Sequence, residues 1–166
     1  KSSINRDVLG LSPEAAKEWQ KRTEAEFRLW ADRKQNCDAI GINNFDALQQ
    51  LALVSWLMSG DVFAVFKRYP STPVRPYSPR VHLVEADRVS TPYRLGGGRG
   101  WHGITDGENE KNGNKIYDGV EVDKNGMVVA YHVSNNYPWQ LTWEPVEWTR
   151  VEAYGPRTGL PNILHT

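Results

Sequence analysis

The sequence contains one cysteine, Cys37, among its 166 residues. A single cysteine cannot form an intramolecular disulfide, and it excludes zinc sites built from several cysteines. A reducing, intracellular environment therefore fits the composition best. The longest apolar stretch, Leu51 to Met58, is interrupted by Ser55 and is far shorter than the roughly 20 residues that cross a bilayer. With no signal peptide pattern either, we expect no membrane partner.

An excess of charge of either sign is also absent, because 20 basic and 20 acidic residues cancel. This balance argues against a chain that binds nucleic acid through bulk positive charge. The 39% apolar content suffices for the core of one domain. Because the chain starts at Lys1 and its methionines are Met58 and Met127, we expect it to be a piece of a longer protein.

The first helix signal lies near the N-terminus. The segment Ser12–Glu14 supplies an N-cap residue, a proline suited to the first turn and an acidic residue. The helix is predicted to continue to about Arg33. Four residues spaced to share one face form an aromatic-rich stripe along it, namely Trp19, Thr23, Phe27 and Trp30.

A second helix is predicted from Asn44 to Ser59, with Gly60 as its C-terminal stop. Its apolar residues are distributed around the whole circumference. Such a distribution is typical of a helix buried between other layers, and we expect that burial here.

The rest of the chain has strand and turn signals. The predicted strands are 62–66, 81–84, 120–122, 127–133 and, as the last strand, 148–154. Asp123–Gly126 contains an Asn-Gly pair and predicts a tight hairpin. Prolines interrupt the segment between the first two strands, and the glycine-rich segment 91–115 is predicted to be a long mobile loop. The fold class is therefore α+β, with two N-terminal helices packed on a mainly antiparallel sheet.

Three short motifs resemble ligand-binding loops. Gly98–Gly103 has G-x-G-x-x-G spacing but lacks the preceding strand and following helix of a dinucleotide site. Gly107–Lys115 lacks the adjacent Gly-Lys and Ser/Thr of a phosphate loop. Asp123–Gly126 resembles the start of a calcium loop, but its glycine comes too early. We interpret all three as loops or turns.

Candidate catalytic groups are scattered. The four histidines have no metal-binding spacing, the thiol of Cys37 lies in no nucleophile signature, and no two carboxylates form an acid/base couple. These histidines and the main carboxylate candidates are His82, His102, His132, His165, Asp38, Asp61, Glu85 and Asp87. We therefore predict no catalytic, cofactor-binding or metal residue and no cofactor; an enzyme using Cys37 or the glycine-rich loop is the weakest hypothesis.

An aromatic cluster near the C-terminal end offers an alternative function. Trp139, Trp143 and Trp148 lie near Tyr137, and Arg150 is the one basic residue close to them. Exposed aromatic residues can stack on bases. A stand-alone β module that binds single-stranded nucleic acid is thus the alternative to the structural role described next, although the scarcity of basic residues favours core or subunit contacts.

Six segments, in order and spread over nearly the whole chain, resemble the portal proteins of lambda-type tailed bacteriophages and their prophages. They are Asn5–Gly10, Asn44–Ala64, Glu85–Val89, Ile116–Asp123, Ala130–His132 and Gly159–Pro161. The resemblance implies a non-enzymatic, structural subunit of a ring, usually a dodecamer, at the capsid vertex. It implies roles in DNA packaging, DNA exit and head–tail joining.

The same resemblance implies the partners and the location. The partners are other portal subunits, the capsid, the terminase, the head–tail joining proteins and double-stranded DNA passing through the ring. The location is the virion, and the host cytoplasm during assembly. The chain resembles an internal fragment, the outer wing region, and lacks the tunnel helices and clip. We expect one module with a helical part, 1–60, and a β-rich part, 61–166.

Overall fold

A computed structural model describes residues 3–93, 107–137, 140 and 143–166. The α-helices found in these residues are α1 Arg6–Leu9, α2 Pro13–Ala31, α3 Lys34–Cys37 and α4 Phe45–Ser59. The strands are β1 Val62–Arg68, β2 Pro79–Glu85, β3 Gly107–Asn109, β4 Asn114–Tyr117, β5 Val120–Val122, β6 Val128–Ser134, β7 Trp148–Glu152 and β8 Ile163–His165. A single 3₁₀ turn, Ala86–Arg88, follows β2.

The chain divides into two compact units. Unit 1 comprises Lys1–Gln50 and Arg68–Val81, and unit 2 comprises Leu51–Lys67 and His82–Thr166. Unit 1 contains α1 to α3, and unit 2 contains the five-stranded sheet described below.

Both predicted helices form, and local capping explains their ends. The Ser12 hydroxyl accepts a hydrogen bond from the Ala15 amide at 3.2 Å, so α2 begins as expected. The Asn44 side chain accepts from the Ala47 amide at 2.9 Å and caps α4 in the same way. Gly60 has φ of 85°, a left-handed conformation that ends α4 where the sequence predicted.

The predicted burial of α4 is wrong. Within this helix only Leu48 is buried, and six large apolar residues from Leu51 onward are between 45% and 81% exposed. These six residues, called the α4 apolar surface below, are Leu51, Leu53, Val54, Trp56, Leu57 and Met58. High apolar content predicted that something covers this helix, but no part of the chain that the structure describes covers its apolar residues.

The strands form two sheets, which confirms the α+β class and the antiparallel prediction. One sheet has the order β2-β1-β8, and the other has the order β3-β4-β5-β6-β7 with every neighbouring pair antiparallel. In the smaller sheet, Phe63 of β1 pairs with His165 of β8. The sequence predicted one sheet rather than two.

The predicted hairpin between β5 and β6 is confirmed. The Asp123 carboxylate accepts hydrogen bonds from the amides of Asn125 and Met127, at 2.8 and 2.9 Å, and Gly126 has φ of 83°. Asp123–Gly126 is therefore a turn closed by its own aspartate, as interpreted from the sequence.

Two other expectations need correction. The strand near 148–154 forms as β7 but is not the last, because β8 follows it. Of the predicted loop 91–115, residues 94–106 lie outside the described residues, and residues 107–115 are not a loop. They form β3, a tight turn and the start of β4, because the asparagines in this stretch find buried hydrogen-bond partners.

The hydrophobic core of unit 2 lies on one face of the five-stranded sheet. Its fully buried members are Phe63, Val65, Val84, Val89, Tyr131, Ala153 and Ile163, and partly buried Val120, Val133 and Val151 pack against them. Tyr131 pairs with Val120 on one side and with Val151 on the other, so these three share the core face. Since successive strand residues alternate faces, Glu121 and His132 lie on the opposite face.

Candidate functional site

The opposite face of the five-stranded sheet carries a buried carboxylate, Glu121, with no exposed surface. Each of its two oxygens has three donors around it. Oε1 accepts from Asn112 Nδ2 at 2.9 Å, Asn114 Nδ2 at 2.9 Å and Arg150 Nη2 at 3.0 Å. Oε2 accepts from Arg150 Nε at 2.7 Å and Asn109 Nδ2 at 3.2 Å, and His132 Nε2 lies 3.0 Å away. Because an ionised carboxylate only accepts, His132 donates to it through Nε2.

This Glu121 cluster takes one side chain from every strand of the sheet. Asn109 belongs to β3, Asn114 to β4, Glu121 to β5, His132 to β6 and Arg150 to β7. The pairing register brings them together, since Ile116 and Ala130 flank Glu121 and Arg150 is opposite His132. One carboxylate therefore ties five strands together.

The asparagines are oriented by the turn in which they lie. Asn109 Oδ1 accepts from the Lys111 amide at 3.1 Å, and Asn112 Oδ1 accepts from the Asn114 amide at 3.0 Å. Because each oxygen is held by the turn, each Nδ2 is directed at Glu121. The turn and the cluster stabilise one another.

The electrostatics of the cluster fix Glu121 in its charged form. Burial alone would raise the pKa of Glu121, but hydrogen bonds from Arg150 and the three asparagines outweigh it and hold that pKa far below its ordinary value of 4.5. The hydrogen bond to Glu121 in turn raises the pKa of Arg150. With all its acceptor positions occupied, Glu121 has neither the proton nor the free lone pair that acid/base catalysis needs. The cluster is suited to holding strands, not to a reaction.

The sequence did not reveal this cluster. Glu121 lies between Val120 and Val122, an alternation that predicts an outward-facing glutamate, whereas the structure buries it completely. His132, which lies in the predicted strand 127–133, is buried and contacts Glu121.

The other candidate groups lie apart from this cluster. The Cys37 thiol is fully buried in unit 1 and lies 3.5 Å from the Ala31 carbonyl oxygen; burial raises its pKa. Asp61 lies 3.2 Å from His165. Glu85 ends β2 and Asp87 lies in the 3₁₀ turn. His102 and the glycine motif Gly98–Gly103 lie outside the described residues.

The predicted aromatic cluster is only partly described, because Trp139 lies outside the described residues. Trp143 is fully exposed, but Trp148 is engaged: its Nε1 donates to the Ser90 hydroxyl at 2.9 Å and its ring meets Tyr93 edge to face at 4.7 Å. Arg150, the nearest cation, is bound to Glu121. Neither Trp148 nor Arg150 is thus available as a stacking platform or a phosphate ligand.

Two classes of site are not found in the part of the chain that the structure describes. Across residues 3–93, 107–137, 140 and 143–166, no three His, Cys, Asp or Glu side chains come together as a metal site. Within the same ranges, no helix combines the length and apolarity that a membrane crossing requires.

The α4 apolar surface is a candidate contact surface in the part of the chain that the structure describes. Met58 is 81% exposed and Leu57 is 69% exposed, although both side chains are apolar. Several large apolar side chains exposed along one helix are typical of a helix that contacts another protein surface.

Comparison with known protein families gives one decisive result. The whole chain, residues 1–166, matches the family described as phage portal protein, lambda family. The chain belongs to the lambda family of phage portal proteins. The resemblance inferred from the sequence is thereby confirmed, and with it a structural role in the phage portal. A search of curated proteins found no match.

Proposed function

We propose that this portal chain is a non-enzymatic component of the ring at the capsid vertex, and that it supports DNA packaging, DNA exit and head–tail joining. The match of residues 1–166 to the portal family carries the proposal. Its partners are other portal subunits in a ring, usually a dodecamer, and the capsid, terminase and head–tail joining proteins, with double-stranded DNA passing through. It functions in the virion after assembly in the host cytoplasm.

The α4 apolar surface supports a subunit contact. Six large apolar side chains in one helix are 45% to 81% exposed, and covering them is favourable by about 25 cal/mol for each Å² removed from water. We propose that a neighbouring portal subunit covers this surface in the ring. The occupant is a second copy of this chain.

The layout of the module is a further part of the proposal. We propose one wing-like module of a longer portal chain, with a helical part, 1–60, and a β-rich part, 61–166. All buried members of the hydrophobic core cluster come after residue 61 and lie in unit 2, which supports a β-rich part with its own core; residues 68–81 of this part belong to unit 1. Limited proteolysis tests this: cleavage concentrated near residue 60, leaving a folded 61–166 product, supports the layout, and rapid degradation of that product contradicts it.

A charge placed on α4 tests the ring contact. In the portal protein that carries this sequence, Met58→Glu puts a charge in the α4 apolar surface, and we expect it to prevent or greatly reduce ring formation in native mass spectrometry and electron microscopy. Val74→Glu is the matched control, because Val74 is 80% exposed but lies outside α4. Normal rings with Met58→Glu would refute the α4 contact, and absence of any ring in the unmodified protein would refute the portal role.

The alternative, a single-strand nucleic-acid-binding β module, is less well supported. Trp148 and Arg150 have partners within the chain, which leaves Trp143 as the exposed aromatic residue in the described part of the cluster. Salt-dependent binding of a labelled oligonucleotide that Trp143→Ala abolishes would favour this alternative.

A further inference from the structure

Unit 1 contains a cavity of about 350 Å³ with a strongly cationic lining. Lys34, Arg75 and Arg80 line it together with Asp38 and the loop residues that follow Asp38. Lys34 and Arg75 are exposed, whereas Arg80 is only 6% exposed. Three cations thus surround one space near a single carboxylate.

The carboxylate of Asp38 forms no ion pair with these cations in the described residues. Its Oδ1 accepts from the Ile40 amide at 3.0 Å, and its Oδ2 accepts from the amides of Ile42 and Asn43 at 2.9 and 2.8 Å. Asp38 therefore stabilises its own loop. In the part of the chain that the structure describes, none of Lys34, Arg75 and Arg80 forms an ion pair.

Arg80 is the decisive residue of this cavity. Its guanidinium carbon lies 4.3 Å from the centre of the Tyr69 ring, which holds the side chain in place. Its Nε is buried and has no hydrogen-bond acceptor in the described residues. A buried cation is costly unless a negative charge lies near it, and because Arg80 lines the cavity, an anion in the cavity would compensate this charge.

We propose that this cavity binds a phosphate group. A phosphate carries nearly two negative charges at neutral pH and three strong acceptor oxygens, which suits three cations that are offset by one carboxylate. A carboxylate ligand carries one charge and would leave part of the cationic lining unmatched. The phosphate comes either from free inorganic phosphate or from the terminal phosphate of a nucleotide.

Calorimetric titration of the 166-residue chain at low salt tests the site, with inorganic phosphate as the probe. Hydrogen bonds to charged groups are strong enough that Lys34→Gln and Arg75→Gln should each weaken binding about tenfold. Lys34 and Arg75 are exposed, so we expect both variants to retain the fold. Arg80→Gln is not used, because it also removes the contact of the buried Arg80 with Tyr69. Arg33→Gln is the matched control, because Arg33 is adjacent to Lys34, is exposed and does not line the cavity.

The ligands used in the titration separate the possible outcomes. The site is supported if phosphate binds and the binding is weakened by Lys34→Gln and Arg75→Gln but not by Arg33→Gln. Tighter binding of a nucleoside 5′-monophosphate then indicates a nucleotide as the source, and equal binding indicates free phosphate. No binding of phosphate at millimolar concentration, equal binding of acetate, or an equal loss with Arg33→Gln would overturn the proposal.

Discussion

The five-stranded sheet and helix α4 reverse the usual distribution of polar and apolar residues. Glu121, a charged side chain, has no exposed surface, whereas Met58, an apolar one, is 81% exposed. Six hydrogen-bond donors compensate the cost of burying the glutamate. The exposed methionine has no such compensation within the described residues, and exposed apolar residues of this kind are typical of contact surfaces. The comparison separates what holds this chain together from what it offers to a partner.

The first and largest expected effect concerns the apolar core that β1 shares with the sheet. Phe63 is 3% exposed, stacks on His165 at 4.3 Å and meets Tyr131 edge to face. Phe63→Ala should lower the free energy of unfolding by about 4 kcal/mol, because it leaves a cavity in a packed site. Urea denaturation measures this. Phe66→Ala, in the same strand but 36% exposed, is the control and should cost less than half as much.

The Glu121 cluster should come next in size. Glu121→Gln removes the negative charge that pairs with Arg150. It also places an NH₂ group among hydrogen-bond donors, where only an acceptor fits. We therefore expect a loss of about 3 kcal/mol in the free energy of unfolding. Glu152→Gln is the control: Glu152 lies 3.5 Å from the same arginine but is about half exposed, and its loss should cost under about 0.5 kcal/mol. Equal, small losses in urea denaturation would show that the cluster does not hold the strands.

The pH dependence of stability tests the same carboxylate. The pKa of Glu121 in the folded chain lies far below its ordinary value of 4.5, so the unfolded chain binds this proton first as the pH falls. The contribution of Glu121 is therefore complete above about pH 5 and declines progressively below it. Urea midpoints between pH 3 and pH 7 should fall more steeply for the unmodified chain than for Glu121→Gln. Parallel curves would contradict the low pKa.

The features that the sequence predicted correctly are set by neighbours in the chain. Asp123 closes the β5–β6 turn through amides two and four residues away, and Ser12 and Asn44 cap their helices through amides three residues away. Such contacts can be inferred from spacing alone. The portal family is instead recognised from the resemblance of six segments, which occur in order along the chain.

The Glu121 cluster could not be inferred, because its partners lie far apart in sequence. Arg150 is 29 residues from Glu121, and the pairing of β6 with β7 brings it there. The exposure of α4 was missed for another reason. Apolar content predicts that a helix is covered, but it does not distinguish cover by the same chain from cover by a second copy.

The smallest expected effect completes the comparison. Trp56 is 47% exposed on α4, so about half of its side chain still contacts water in the single chain. Trp56→Ala should therefore lower the free energy of unfolding by only about 1 kcal/mol, well below the cost of Phe63→Ala, because exposed surface contributes little. Urea denaturation of the two variants side by side measures the ratio. If Trp56→Ala cost as much as Phe63→Ala, α4 would be part of the core of the single chain, and the assignment of its apolar surface to a neighbouring portal subunit would fail.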